Sequence, residues 1–303
     1  MTLSAGAHPA TVVVCTRDRP GSLPTTIESI LANDGDFRLI VVDQSSDGQS
    51  ADYLATLDDE RLRVVPTSTV GLSRARNIGL AASDSDLILM TDDDCVVSTT
   101  WVADMTTQLR SDDRIAAVFG VVEAADYDQT QGYVPDGPIP QDRTFCRVRR
   151  YDPCHGIGAC VGFRRSAVLQ VGGFDPMLGA GAPLKSAEEI DVVLRLLIAG
   201  HHVRHSTTPV VVHHGFRTFE ETKSLVRGYM LGTGAAHGQL LRLGHPSVLL
   251  PLARAICGSS IPPAVSALRA FRVPPILGRI TSTCRGIWIG VRMTRVIASV
   301  SDG

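Results

Sequence analysis

Three consecutive aspartates, Asp92, Asp93 and Asp94, follow the apolar run Leu87-Ile88-Leu89-Met90. Like charges at this spacing repel and raise one another's pKa unless a cation is shared. The triplet therefore reads as a seat for a hard divalent ion, Mg2+ or Mn2+, which takes oxygen ligands and sits between one or two carboxylates and substrate phosphates. In extended backbone, residues two apart point the same way. Asp92 and Asp94 are thus expected to share a face, with Asp93 in another role. The competing reading is a solvated acidic turn.

Other polar residues follow similar apolar runs. The first run, Thr11-Val12-Val13-Val14-Cys15, exits into Thr16-Arg17-Asp18-Arg19-Pro20, and the second, Leu39-Ile40-Val41-Val42, into Asp43-Gln44-Ser45-Ser46-Asp47-Gly48. Asp43 stands where acidic residues of nucleotide-binding sheets accept hydrogen bonds from a ribose or base. An ordinary strand-end turn is the alternative. The segment Gly71-Leu72-Ser73-Arg74-Ala75-Arg76-Asn77 offers a glycine, an N-cap serine and two guanidinium groups at a helix start, which suits a diphosphate. A capped surface helix would look the same. Glu188, Glu189 and Asp191 fall in the first turn of a later helix, where the dipole favours acids and a carboxylate could serve as general base.

The elements that must position these groups are legible from periodicity. The apolar runs, with Arg63-Val64-Val65 as the third of four, read as buried strands. Helical stretches at 22–32, 51–57 and 73–82 alternate with them. This order predicts an α/β domain with a mostly parallel central sheet flanked by helices, whose ligands gather at the carboxyl ends of the strands. Further along, a helix is expected at 101–110, a strand at 117–122, a long loop over 123–153 beside the cleft, a strand at 158–163 and a short helix at 166–171. A glycine-rich turn at 172–181, a helix at 187–199 and a last strand at Val210-Val211-Val212 complete the series. Gly156-Ile157-Gly158 suggests a close backbone approach at an acceptor pocket. His201, His202, His205, His213 and His214 lack the fixed spacing of a zinc site.

Residues 11–20, 40–48, 71–79 and 87–94 together resemble the donor-binding half of the family 2 glycosyltransferases, which have the GT-A fold. The similarity runs on through Gly172-Gly173-Phe174-Asp175, Glu188-Glu189-Ile190-Asp191 and Val212-His213-His214, covering about residues 10–220. It implies a catalytic domain at 1–218, with a donor half at about 10–122 and an acceptor half at about 123–218, then a helical C-terminal extension at 219–303. Asp43 would contact the nucleotide base, Asp92 and Asp94 would form the D-x-D element, and His213 or His214 would add a metal contact. Thr16, Arg17, Arg19, Gly71, Arg76, Asn77 and Asp93 fall within the donor side. The family's Glu-Asp motif, whose second member serves as base, appears here as Glu188-Glu189, so either Glu189 reaches with a longer arm or Asp191 takes the role. The resemblance implies an inverting, metal-dependent transfer from a UDP-, GDP- or dTDP-sugar to a glycan or lipid-linked acceptor, in cell-surface glycan, polysaccharide or glycolipid synthesis. Two other functions compete with it. A sugar nucleotidylyltransferase would carry a reactive lysine in an early glycine-rich loop, and residues 16–20 have none. A binding relative without transfer activity is conceivable because of the glutamate at 189.

The chain has 303 residues, 44% apolar and 20% charged, with a net charge of −2. That is enough for a sizeable core and argues against nucleic acid as partner. Seven scattered cysteines without a C-x-x-C pair suggest a reducing, cytoplasmic compartment rather than a disulfide framework. Residues 1–10 lack the basic flank and apolar core of a secretory signal. The apolar stretch 248–268 is interrupted by Arg254 and Pro262-Pro263, so no spanning helix is expected. After Glu221 the only acid is Asp302, while ten lysines and arginines occupy that third of the chain. Segments 248–271 and 276–300 thus read either as a surface lying on anionic lipid at the inner face of the cell membrane, or as a helical subdomain with arginines at its rim.

Overall fold

The structure, a computed structural model, describes residues 10–148, 154–249, 252 and 275–293. Its centre is a nine-stranded sheet. The strands in chain order are β1 (Thr11–Thr16), β2 (Arg38–Asp43), β3 (Leu62–Pro66), β4 (Leu87–Asp92), β5 (Cys95–Val97), β6 (Ile115–Ala124), β7 (Gly132–Tyr133), β8 (Arg143–Phe145), β9 (Val161–Arg164), β10 (His202–His213) and β11 (Arg217–Thr218). The spatial order is β3-β2-β1-β4-β9-β6-β10-β5, with β8 also on β10, while β7 and β11 form a separate two-stranded sheet. Strands β3, β2, β1 and β4 run parallel, as do β6 and β10. Strands β9, β5 and β8 join antiparallel. A doubly wound sheet with antiparallel insertions is the GT-A arrangement expected from the sequence.

Helices cover both faces, and strand parity decides which residue goes where. In β1, Val13 joins a cluster with Ala75 and Leu80 of α3 (Leu72–Ala82), Ala167 and Val168 of α5 (Arg165–Gln170), and the apolar residues of α6 (Glu188–Ile198). Its neighbours Val12 and Val14 pack on the other side against α1 (Leu23–Leu31), Leu54 of α2 (Gln49–Leu54) and Trp101, Met105 and Leu109 of α4 (Trp101–Arg110). Helix α1 presents Leu23, Thr26, Ile27 and Ile30 as its buried stripe, the spacing of one helical face.

The registers bring the polar strand exits to one edge. Thr16 lies opposite Asp43, and Cys15 opposite Asp92. Strand β5, too short and too close to the aspartates to show in the hydrophobic pattern, pairs antiparallel with the end of β10 and sets His213 opposite Cys95. Strand β10 is much longer than the three residues expected. Its register slips between His205 and Val210, where Ser206-Thr207-Thr208-Pro209 interrupts the apolar pattern and Asp142 accepts the Thr207 backbone N–H at 2.8 Å. The expected loop at 123–153 contains the end of β6 as well as β7 and β8. Each of the latter is only two or three residues long and is held by partners distant in sequence.

Helix α7 (Phe219–Arg242) opens with a capping box between Thr218 and Glu221, and α8 (Pro275–Arg292) packs against it. Their backbones approach so closely that a Cβ on Gly234 would strike the Thr283 carbonyl, and one on Gly290 the Ala235 carbonyl. Among the described residues no helix is long and apolar enough to cross a membrane. The N-terminal nine residues and 253–274, with Arg254 and Pro262-Pro263, lie outside the described residues, as does the tail after 293.

Candidate active site

A cavity of about 240 Å3 opens where β1, β2 and β4 end, lined by Thr16, Arg17, Arg19, Gln44, Gly71, Asp92, Asp93, Asp94, Gly181, His213 and Arg217, among others. Strand β4 stops at Asp92 and the chain turns, so the simple alternation expected for the triplet does not hold. Asp92 instead faces Arg76, while Asp93 and Asp94 share Arg19. Asp92 sits 3.7 Å from the Arg76 guanidinium. Asp93 accepts a hydrogen bond from the Thr16 hydroxyl at 2.8 Å, and burial pushes its pKa up to about 6 against the pull of Arg19. Asp94 lies 2.5 Å from Arg19 and 3.3 Å from Nε2 of His213. Burial opposes its ionisation, but the His213 hydrogen bond and charge, with Arg19, prevail and hold its pKa at about 2.

The ring of His213 is set for a ligand's role. Its Nδ1 faces the Pro135 carbonyl at 3.2 Å, which leaves Nε2 aimed at Asp94, the second contact that fixes a ligating tautomer. Potential ligand atoms of Asp94, Cys95 and His213 lie within 4.8 Å of one another. Burial drives the Cys95 thiol pKa far up, and thiolate is a softer donor than Mg2+ or Mn2+ selects. What remains of that group is one Asp94 carboxylate oxygen and one imidazole nitrogen, with Asp92 lining the same cavity. That donor set fits a hard divalent ion completed by phosphate oxygens.

A second cavity, of about 440 Å3, shares Leu72, Asp92, Ala180, His213 and Arg217 with the first, so the two adjoin. Its far wall carries Glu188, Glu189, His155, Tyr133 and Tyr229. Arg76, with a side chain only 3% exposed, joins the two sides. It donates to Oε1 of Glu189 at 2.7 Å, lies 3.5 Å from Glu188, and reaches Asp92 as described. Burial and the neighbouring Glu189 charge raise Glu188 to about 8 despite Arg76. Gly158 permits this packing, since a Cβ there would collide with the Glu189 carboxylate and come within 2.7 Å of the Arg76 guanidinium. Of the glycine pair noted in the sequence, Gly158 makes its close approach to a carboxylate and Gly156 to Phe119.

Several expected site residues are turned elsewhere. Asp191 is 1% exposed and its Oδ2 is held by Arg195 at 2.5 Å, while Arg195 also donates to the carbonyls of Val171 and Gly173. The i, i+4 spacing inside α6 makes that ion pair; Oδ1 of Asp191 has no partner among the described residues, and Asp191 is not among the residues lining either cavity. Asn77 bridges both backbone groups of Phe174, its Nδ2 donating at 2.8 Å and its Oδ1 accepting at 2.9 Å. It thus ties α3 to the glycine-rich turn rather than facing the cavity. His214 exposes its side chain, and only its backbone N–H touches the triplet, donating to the Asp94 carbonyl. Asp43 is buried and accepts the Ser45 backbone N–H at 2.8 Å, whereas Gln44 beside it lines the cavity and donates to the Thr69 carbonyl at 2.7 Å. The N-cap of α3 is Gly71, in a backbone conformation that favours glycine, and Ser73 instead donates to the Leu178 carbonyl at 2.7 Å. Arg74 is exposed, and Arg76 is committed to carboxylates. The other cationic groups lining the cavity are Arg17, Arg19 and Arg217, of which Arg19 pairs with Asp93 and Asp94. Arg217, which also donates to the Tyr229 hydroxyl, was not singled out from the sequence.

A carboxylate and histidine set that fits a metal stands at the strand ends, beside a second cavity lined by the buried Glu188. Residues 11–172 match the family model for glycosyl transferase family 2, and the chain belongs to that family. Two curated relatives from Mycobacterium tuberculosis strains, each called pre-mycofactocin glycosyltransferase, are 27% identical over 296 residues. The alignment covers 95% of this chain and 57% of theirs, so the chain spans little more than half their length. Among solved structures, the mannosyltransferase PcManGT from Pyrobaculum calidifontis, in complex with GDP-Man and Mn2+, superposes with a TM-score of 0.60 at 18% identity, covering 95% of this chain and 87% of that one. Residues 1–349 of S. aureus TarS give a TM-score of 0.58 at 13% identity, with 90% of each chain covered. These likenesses confirm the GT-A fold.

Proposed function

We propose that the protein transfers a sugar from a nucleotide-diphosphate donor of the UDP, GDP or dTDP type to an acceptor hydroxyl, with inversion at the anomeric carbon. The observation that carries this reading is that the two cavities adjoin across shared residues, with the aspartate triplet lining the first and Glu189 the second. The donor diphosphate lies among Arg17, Arg19, Arg217 and the triplet, the acceptor hydroxyl beside Glu189. When bound, Mg2+ or Mn2+ held by Asp92, Asp94 and His213 stabilises charge on the departing diphosphate. A sugar hydroxyl is a weak nucleophile near neutral pH, so Glu189 takes its proton as the acceptor oxygen bonds to the anomeric carbon. The bond from that carbon to the diphosphate breaks, and its electron pair leaves with the diphosphate. Arg76 holds the Glu189 carboxylate in place and screens it from the Asp92 charge.

The acceptor belongs to a glycan or lipid-linked class, in cell-surface glycan, polysaccharide or glycolipid synthesis. The exposed face of α8 supports contact with a membrane surface. Trp288 is 57% exposed, Ile280 and Val291 lie along the same face, and the Arg292 guanidinium stacks 4.0 Å from the Trp288 ring centroid. Apolar residues interleaved with arginines suit an anionic lipid surface. Salt-sensitive sedimentation with anionic vesicles checks this, and binding that salt leaves unchanged would refute it.

The transfer reading is tested with donor hydrolysis and sugar transfer by wild type, Asp94→Ala and Glu189→Gln. Removal of a general base lowers transfer by about 10^2- to 10^4-fold, so Glu189→Gln should lose transfer yet still bind donor. Full metal-dependent activity in Asp94→Ala would overturn the metal side of the assignment.

A further inference from the structure

One wall of the acceptor cavity is made by α7 and the loop that leads into α6. The loop residues Leu184-Lys185-Ser186 rest on α7 where that helix carries glycines at 228 and 232, one turn apart on one face. A Cβ on Gly232 would come within 2.4 Å of the Ser186 hydroxyl and 2.7 Å of the Leu184 carbonyl. Ser186 in turn donates to the Tyr229 carbonyl at 3.3 Å. Between these anchors Lys185 takes a φ of 59°, a left-handed conformation that glycine and asparagine adopt more readily. Its stem lies on Gly228, where an added Cβ would be 3.4 Å from the Lys185 Cβ and 3.5 Å from its Cδ.

Lys185 lines the second cavity but not the first, so its charge belongs to the acceptor side and not to the donor diphosphate. The carboxylates of that cavity, Asp92, Glu188 and Glu189, all turn to Arg76, and among the described residues Lys185 forms no ion pair. Helix α7 supplies no acid beyond Glu221. At the same turn of α7, the Tyr229 hydroxyl accepts a hydrogen bond from Arg217, which leaves its own proton to be donated onward. An ammonium and a phenol O–H on one wall are complementary to an anion. Repulsion from the catalytic side is small, because Arg76 offsets the Glu189 charge and burial keeps Glu188 protonated up to about 8.

Resting on the transfer reading above, we infer that the acceptor carries an anionic group, a carboxylate or a phosphate, which Lys185 and the Tyr229 hydroxyl hold while the reacting hydroxyl lies beside Glu189. Both residues line the same cavity as Glu189, so recognition and proton transfer fall within one small molecule or one terminal unit of a larger one.

The test uses the full chain and three probes: methyl β-D-glucopyranoside, its 6-carboxylate (the methyl glucuronide) and its 6-phosphate, titrated by calorimetry in the presence of UDP and Mn2+. A charge-assisted contact predicts about tenfold tighter binding of an anionic probe than of the neutral one, and the larger gain of the two tells carboxylate from phosphate. The gain should shrink between about 50 mM and about 500 mM salt. Lys185→Gln should erase most of it, Lys185→Glu should put the anionic probes below the neutral one, and Tyr229→Phe should reduce it by a few fold. Arg110→Gln, on the exposed end of α4, removes the same charge elsewhere and should leave the gain intact. Equal affinity for all three probes, or no binding of either anionic one, overturns the proposal. So does a gain that survives Lys185→Glu, or one that Arg110→Gln lowers as much as Lys185→Gln. Donor hydrolysis and the Glu189→Gln comparison are read in parallel. Their failure with the anion preference intact sinks the transfer reading, whereas loss of the preference with transfer chemistry intact sinks only this inference.

Discussion

Replacing Arg76 by methionine keeps the length of the side chain and removes the one group that touches Glu188, Glu189 and Asp92 together. At the 2.7 Å separation from Glu189, an effective dielectric of about 20 gives an attraction of about 6 kcal/mol. The variant need not forfeit all of it, because a carboxylate can escape by taking up a proton. Burial already keeps Glu188 protonated up to about 8, so a second carboxylate must follow. Protonating an ordinary glutamate of pKa about 4.3 costs about 1.4 kcal/mol per pH unit, hence about 4 kcal/mol at pH 7 and about 1 kcal/mol at pH 5. The cheaper route wins, and it sets the expected loss of stability. The sign follows from linkage. The folded variant holds a proton that its unfolded chain has released, so its stability relative to wild type falls as pH rises above the unfolded glutamate value. Urea denaturation of both proteins across that range should give a difference that climbs with pH. A difference that stays flat, or stays below about 1 kcal/mol at pH 7, would refute the view that Arg76 carries the cluster.

Gly158→Ala should displace the Glu189 carboxylate and lower transfer by about 10^2-fold while donor binding, measured by calorimetry, stays within about twofold of wild type. Asp191→Asn breaks a buried ion pair and should cost about 3–5 kcal/mol in denaturant titrations, yet leave transfer per folded molecule nearly unchanged. An activity loss matching that of Glu189→Gln would return the base role to Asp191. His213→Ala should abolish most of the thermal stabilisation by Mn2+ with UDP, whereas His214→Ala should retain it, and equal behaviour of the two would contradict the ring placement described above.

The parallel half of the fold was legible because buried strands carry continuous β-branched runs, and the polar residues at their exits then had only one edge to occupy. Strands β5, β7 and β8 were not legible. Two or three residues carry no period, and these segments are extended only because distant strands pair with them. For the histidines, the signal was present in the parity of β10. Val211 is buried, so two residues on, His213 points inward and His214 out. The Asp191 and Arg195 spacing likewise announced an ion pair on α6. Nothing comparable marked Arg217, which stands after a loop with no pattern around it, nor the inward commitment of Arg76, which requires knowing that α6 starts opposite α3.

The glutamate at 189, where the family's motif has aspartate, need not mean a lost base. One more methylene pushes the carboxylate outward, and it would meet backbone unless the facing residue lacked a side chain. Residue 158 is a glycine, and the Glu189 carboxylate occupies the space that a Cβ would take. On the other side Arg76 fixes the same carboxylate at 2.7 Å. The longer arm is therefore held from two directions in the wall of the acceptor cavity, with a buried cation between it and the donor-side aspartate. Substitution at 189 and glycine at 158 make sense together. The half-buried carboxylate at 189 both anchors Arg76 and stands in the wall of the second cavity, and the Glu189→Gln comparison separates its part in the ion pair from proton transfer.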